Sequence, residues 1–122
     1  MGAYPASGAR SADEVLRLLR TAILEKRAVA AVYQGYRRLL CPHMLGRNHV
    51  GQWRLLAYQY GGESQSGLQS GNWRCLVPDQ LRELELRNDP WQTGERQWGR
   101  PTCIEQIELE VDQPQRDPQK GQ

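Results

Sequence analysis

The hydrophobic positions of this chain follow a helical period first and a strand period afterwards. Apolar residues at positions 15, 19, 22 and 23 fall on one face of a helix. Ser11 stands three residues before Glu14, which is the spacing of a capping box at a helix start. The pattern therefore predicts a helix over residues 13–26. Because a single helix cannot bury its own apolar face, we expect it to pack on the elements that follow.

Short strand-like runs follow the predicted helix. Gln34-Gly35 predicts a tight turn between the first two of them, and Pro42 predicts the end of the second, so that residues 43–52 form a connector. The predicted strands cover residues 29–34, 36–41, 52–60, 72–77 and 81–86. One helix followed by these antiparallel strands predicts a mainly β fold, a small five-stranded barrel that is partly closed.

The remaining segments have fewer core-forming residues. Residues 1–12 and 112–122 are rich in small or polar residues and are predicted to be disordered. Residues 88–111 form a C-terminal extension, with Trp91 and Trp98 as candidates to hold its polar loop. Residues 103–111 fit either a capped helix or a strand, and we favour a strand over 104–111.

Length and charge limit the class of protein. A chain of 122 residues suits one domain, and the net charge of +2 with both signs interleaved gives no basic stripe for a nucleic-acid backbone. Three widely spaced cysteines argue against a disulfide framework and for a reducing compartment. No secretory signal or membrane-length apolar run is present, so we expect a cytoplasmic protein with no membrane partner.

The sequence contains no catalytic or metal-binding motif that we recognise. A metal site would need Cys41, His43, His49 and Cys75 to converge without a Cys-x-x-Cys pair. Cys41 and His43 could share a strand face, but the apolar neighbours of Cys41 offer nothing to stabilise a thiolate. We therefore expect no metal, no cofactor and no catalytic activity.

The stretch from Gly61 to Gly71 is rich in glycine and serine and joins two predicted strands. Such a loop can bring backbone N–H groups and serine hydroxyls to an anionic or polar ligand. It can equally be an ordinary connector.

Several motifs share an order and spacing that resemble the WYL domain, in the form of a small standalone protein. They are Tyr33-Gln-Gly-Tyr-Arg-Arg-Leu-Leu-Cys-Pro-His43, Gly46, Gly51-Gln-Trp53-Arg-Leu, Ala57-Tyr-Gln59, and Trp73-Arg-Cys-Leu-Val-Pro-Asp79-Gln-Leu81. The resemblance implies an Sm-like five-stranded barrel preceded by a helix and used as a ligand-sensing module in bacterial regulators. The ligands suggested for the family are nucleotides or single-stranded nucleic acid.

This chain departs from the family pattern in three places. The namesake Trp-Tyr-Leu is Trp53-Arg54-Leu55 here, and only Arg74 remains of a strand motif with three arginines. The predicted single helix before the first strand also leaves no room for the helix-turn-helix that such regulators usually have. We therefore do not expect a transcription factor that binds DNA on its own.

The candidate site residues follow from these motifs. We expect a groove bounded by Arg38, His43, Gln59, Ser64, Ser66 and Arg74. Each has a structural alternative. Arg38 could form a salt bridge to Glu83 or Glu85, His43 could cap a turn, and the Gln59 amide could fix the loop. Arg74 could point to solvent or to an acidic side chain, and Ser64 and Ser66 could form only local turns. Tyr58 and Trp73 could stack on a base or belong to the core.

Three functional hypotheses remain open from the sequence. The first is a non-catalytic module that binds a small anionic or nucleotide-like ligand and regulates a protein partner or forms a homodimer. The second is an Sm-like protein that binds single-stranded nucleic acid through Arg38, Arg54 and Arg74. The third is a protein-interaction domain without a ligand.

Overall fold

A computed structural model describes residues 11–63, 73–93 and 103–111 of the chain. The predicted disordered tail, most of the predicted disordered N-terminus, most of the Gly61–Gly71 loop and Trp98 lie outside these residues. The described elements are α1 (Ala12–Glu25), β1 (Val29–Tyr33), β2 (Tyr36–Arg47), β3 (Trp53–Gly62), β4 (Trp73–Leu76), a short 3₁₀ helix (Pro78–Gln80), β5 (Arg82–Leu86) and β6 (Gln106–Glu110).

Helix α1 begins with the capping box that the sequence predicts. The Glu14 backbone N–H donates to Ser11 Oγ at 3.2 Å, and the Ser11 backbone N–H donates to Glu14 Oε1 at 3.1 Å. Its buried residues are those with the predicted spacing: Val15, Leu19, Ala22 and Ile23. Lys26 ends the helix in the left-handed conformation, with φ of 54°.

The strands form one antiparallel sheet in the order β4-β3-β2-β1-β5, and β6 pairs with β2 beside this path. Gln34 and Gly35 join β1 to β2 with φ angles of 57° and 81°, as a tight hairpin turn requires. The prediction of a mainly β fold with one N-terminal helix is confirmed. The sheet is open, and among the described residues β4 and β5 form no ladder with each other.

Strand β2 is longer than predicted and has three partners. It continues through Pro42 to Arg47, so the prediction that Pro42 ends the strand is wrong. Its pairing with β1 stops at Leu40, and its pairing with β6 starts at Met44. A bulge in the ladder with β3 lies between Pro42 and Met44. Pro42 thus lies where neither β1 nor β6 pairs with β2, so the missing N–H interrupts neither of those ladders.

The two faces of the sheet bury different clusters. The larger cluster contains the buried side chains of α1 and residues of five other elements, among them Val29, Leu40, Leu55 and Leu84. The smaller one contains Met44, Leu56 and Ile104, with Trp73 and Cys103 packed against it. Neighbouring residues of a strand point to opposite faces, so Leu55 and Leu56 mark the two clusters.

The segment before β6 is held against the sheet in two ways. A disulfide joins Cys75 on β4 to Cys103, with 6.5 Å between their Cα atoms. Gly46 lies so close to Ile104 that a β-carbon on it would be 2.6 Å from Ile104 Cγ2. The expectation that the cysteines form no disulfide framework is therefore wrong for Cys75 and Cys103, and Cys41 is buried and free. Residues 106–110 form a strand, not the alternative capped helix.

Reduction of the disulfide is expected to destabilise the fold. The bond separates its cysteines by 28 positions, and closing a loop of that length lowers the entropy of the unfolded chain by an amount worth about 3.5 kcal/mol. Denaturant unfolding with and without a thiol reductant measures the difference.

Cys75→Ser is the matched control, because its stability should not respond to the reductant. Three titratable thiols in protein purified without reductant and then unfolded would show that the bond does not form.

Candidate functional site

Three of the predicted site residues meet on the face of the sheet that carries the larger cluster. Arg38 Nη1 donates to Gln59 Oε1 at 3.3 Å, and Arg74 Nε donates to the same oxygen at 3.2 Å. They come from β2, β3 and β4, which are consecutive in the sheet. Two guanidinium groups therefore share one neutral carbonyl oxygen.

Gln59 is held so that its oxygen points to the arginines. Its side-chain amide donates to the carbonyl oxygens of Gly61 at 3.0 Å and Glu63 at 3.1 Å. The side chain is fully buried, so each of these hydrogen bonds satisfies a group that has lost water. The amide thus fixes the end of β3, where the predicted loop begins, and also contacts both cations.

Arg38 is a buried cation whose hydrogen-bond acceptors among the described residues are all neutral. Its exposed fraction is 3%, and its other hydrogen bonds go to the Tyr33 carbonyl oxygen and Gln34 Oε1. Its guanidinium also lies over the rings of Tyr33 and Tyr36 at 5.2 and 5.7 Å. Burial lowers the pKa of Arg38, and the positive charge of Arg74 lowers it further.

No carboxylate within the described ranges forms an ion pair with Arg38. The alternative in which Arg38 is a surface salt-bridge residue paired with Glu83 or Glu85 is therefore wrong. The guanidinium of Arg38 is therefore stabilised by the faces of aromatic rings and by amide oxygens rather than by a negative charge.

His43, Tyr58 and Trp73 lie on the opposite face of the sheet. Tyr58 is adjacent to Gln59, and Trp73 to Arg74, so in each pair the side chains point to opposite faces. The His43 and Trp73 ring centroids are 4.8 Å apart, and those of Tyr58 and Trp73 are 5.3 Å apart. The predicted single groove is therefore divided between two faces.

His43 is enclosed on this second face. Its Nδ1 donates to the Cys41 carbonyl oxygen at 2.7 Å, and its ring lies 4.8 Å from the ring of Trp91. Its exposed fraction is 4%. These contacts place His43 in an aromatic cluster of the fold rather than beside Arg38.

Residues 87–92 cross this same face, and no local pattern in the sequence predicts their contacts. Asp89 Oδ2 accepts from the Tyr60 hydroxyl at 2.6 Å and from Arg87 Nε at 2.8 Å. Burial and then the hydrogen bond to Asp89 raise the pKa of Tyr60. The Gln92 backbone N–H donates to Cys41 Sγ at 3.4 Å. Burial raises the pKa of the Cys41 thiol, which disfavours a nucleophilic thiolate.

The predicted ligand residues Ser64 and Ser66 lie outside the described residues. Within the described ranges no group of three or more His, Cys, Asp or Glu side chains could hold a metal ion. The same ranges contain no helix with the length and apolar content that a membrane crossing requires.

The Asp89 contacts predict a dependence of stability on pH. Hydrogen bonds from Arg87 and then Tyr60 lower the pKa of Asp89 below its ordinary value of 3.8. Because the folded state favours the carboxylate, its stabilisation is complete above that value and is lost as the pH falls through the lower, folded-state pKa. Urea unfolding should show wild type more stable than Asp89→Asn at neutral pH, with the difference shrinking in acid.

Asp79→Asn is the control, since within the described ranges the Asp79 carboxylate makes no hydrogen bond or ion pair, and its replacement should not lower stability at neutral pH. A constant difference between wild type and Asp89→Asn down to about pH 2 would contradict the assignment.

Comparison with known proteins gives no match of any kind. No protein-family model matches the chain, no curated protein matches it, and no solved structure matches it. The interpretation of the site therefore depends on its own geometry.

Proposed function

We propose that this protein is a non-catalytic binding module of the WYL type, in which Arg38 and Arg74 recognise a small anionic or nucleotide-like ligand. The observation that supports it is the shared acceptor: both guanidinium groups donate to the one neutral oxygen of Gln59. Two cations brought together repel each other, and an anion placed between them would relieve that repulsion. Planar guanidinium groups also suit the two-point binding of carboxylate and phosphate.

The ligand would reach the site from the β4 side. Arg38 is almost fully buried, whereas Arg74 is half-buried and lies on β4, the end strand of the sheet order. Gln59 can keep its oxygen in place as the ligand arrives, because its amide is held by Gly61 and Glu63. Such preorganisation reduces the cost of binding.

The sheet order supports the finer fold proposal, an open form of the Sm-like barrel. The order β4-β3-β2-β1-β5 leaves β4 and β5 at its two ends, and these are the strands whose pairing would close a five-stranded barrel. The 3₁₀ helix Pro78–Gln80 joins them. Ligand binding beside β4 would then be transmitted to a regulatory protein partner or a second copy through this edge.

The absence of catalysis is part of the proposal. The one free cysteine of the described residues, Cys41, is buried and its thiol has a raised pKa. His43 donates its Nδ1 to a backbone carbonyl and is enclosed by two tryptophans. Neither residue is placed to act as a nucleophile or base toward a ligand held by Arg38.

The nucleic-acid alternative is less well supported. Arg54 is adjacent to Leu55 of the larger cluster and so points to the other face from Gln59. It is also five positions away along β3, which separates the two residues by about 16 Å. The three arginines of that hypothesis therefore do not line one surface.

Anion titration followed by amide NMR spectra tests the proposal. Inorganic phosphate, pyrophosphate and a nucleoside monophosphate should shift the Gln59 side-chain and Arg74 Nε resonances saturably at low salt. Arg74→Gln should weaken this binding by about tenfold or more, as expected for a lost charge-assisted hydrogen bond.

Arg37→Gln is the matched control, because Arg37 is exposed, lies one position from Arg38 on β2 and changes the net charge equally. Equal weakening by the two variants would indicate nonspecific attraction and would refute the site. Binding only to oligonucleotides, with a steep dependence on salt, would favour the nucleic-acid alternative. No binding of any anion would favour a domain without a ligand.

A further inference from the structure

A cleft lies at the end of β3 that is far from Gln59. Its volume is about 420 Å³, which is within the range of small-molecule sites. One wall is formed by the turn between β2 and β3 with the first residues of β3, including Gln52, Trp53 and Arg54. The other wall includes Val77 and Asp79, at the 3₁₀ helix.

The cleft contains two opposite charges that do not pair with each other. Arg54 donates to the Trp53 carbonyl oxygen at 2.7 Å and to Gln52 Oε1 at 3.3 Å, both on its own wall. The Asp79 carboxylate forms no ion pair or hydrogen bond within the described part of the chain. Arg82, the cation nearest to it in sequence, donates to the backbone carbonyl oxygens of Asp79 and Leu81 instead.

The wall that carries Arg54 is held by hydrogen bonds within the turn between β2 and β3. Asn48 Oδ1 accepts from the backbone N–H groups of Val50 and Gln52, and Asn48 Nδ2 donates to Gln52 Oε1. The Gly51 N–H donates to the Asn48 carbonyl oxygen, and Gly51 has a φ of 84° that favours glycine. The turn therefore holds the Gln52 acceptor in place beside Arg54.

The apolar part of the cleft is also fixed. The Trp53 ring has the guanidinium of Arg47 at 4.2 Å and that of Arg20 at 5.6 Å from its centroid. Trp53 also packs against the larger cluster, as does Val77. Of the two, Val77 lies on the wall opposite Arg54 and gives the cleft an apolar side chain beside its separated charges.

We propose that this cleft binds a small zwitterion of the α-amino acid type. The ligand carboxylate would pair with Arg54, its ammonium group would pair with Asp79, and its aliphatic portion would lie against Val77. A zwitterion fits better than a simple anion because Asp79 would repel a second negative charge. The site is separate from the arginine pair at Gln59 and does not depend on the function proposed there.

Titration with each of the twenty amino acids, followed by amide NMR spectra, tests this inference. At least one aliphatic amino acid should shift the Gly51, Gln52 and Gln80 resonances saturably. For leucine, the matched probes are 4-methylpentanoate, which lacks the ammonium group, and isoamylamine, which lacks the carboxylate; each should bind about tenfold more weakly or worse.

Substitutions test whether the amino acid binds in this cleft. Asp79→Asn is isosteric and changes a side chain that has no partner among the described residues, so it should fold normally and lose about tenfold or more in amino acid affinity. Glu85→Gln, an exposed carboxylate on β5, and Arg74→Gln, at the other site, should both leave amino acid binding unchanged. No saturable shift with any amino acid, or equal affinity for 4-methylpentanoate, would overturn the proposal.

Discussion

The change of partner along β2 is the constraint on which the rest of the structure depends. One twelve-residue strand pairs with β1 in its first half, with β6 in its second half and with β3 along most of its length. The bulge between Pro42 and Met44 separates the two halves. Because β2 reaches beyond β1, its second half is free to pair with β6, and Ile104, just before β6, packs on Met44 in the smaller cluster.

This arrangement gives the two faces different chemistry. On the face with the larger cluster, Arg38 and Arg74 both donate to Gln59. The other face is filled by rings around His43 and by the segment that Asp89 ties to Tyr60. A buried charge lies on one face and an aromatic cluster on the other, so the two faces differ in polarity and in how their polar groups are satisfied.

The sequence predicted the elements that depend on neighbouring residues, and it did not predict those that depend on pairing between distant strands. The capping box at Ser11 and the Gln34-Gly35 turn depend on neighbouring residues, and both elements form as predicted. The prediction that Pro42 ends β2 failed because a strand tolerates proline where its N–H has no ladder partner. Here that depends on where β1 stops and β6 starts, which no local pattern reveals. The division of the site could have been predicted, since Tyr58 precedes Gln59 directly in a strand.

The shared oxygen of Gln59 means that its two arginines form one thermodynamic unit. Removing either guanidinium changes the repulsion felt by the other and frees a lone pair of a fully buried amide. The effects of single substitutions at Arg38 and Arg74 will then not sum to the effect of the double substitution. Substitution at either position is therefore tolerated or rejected according to what occupies the other, and the two positions should vary together between related chains.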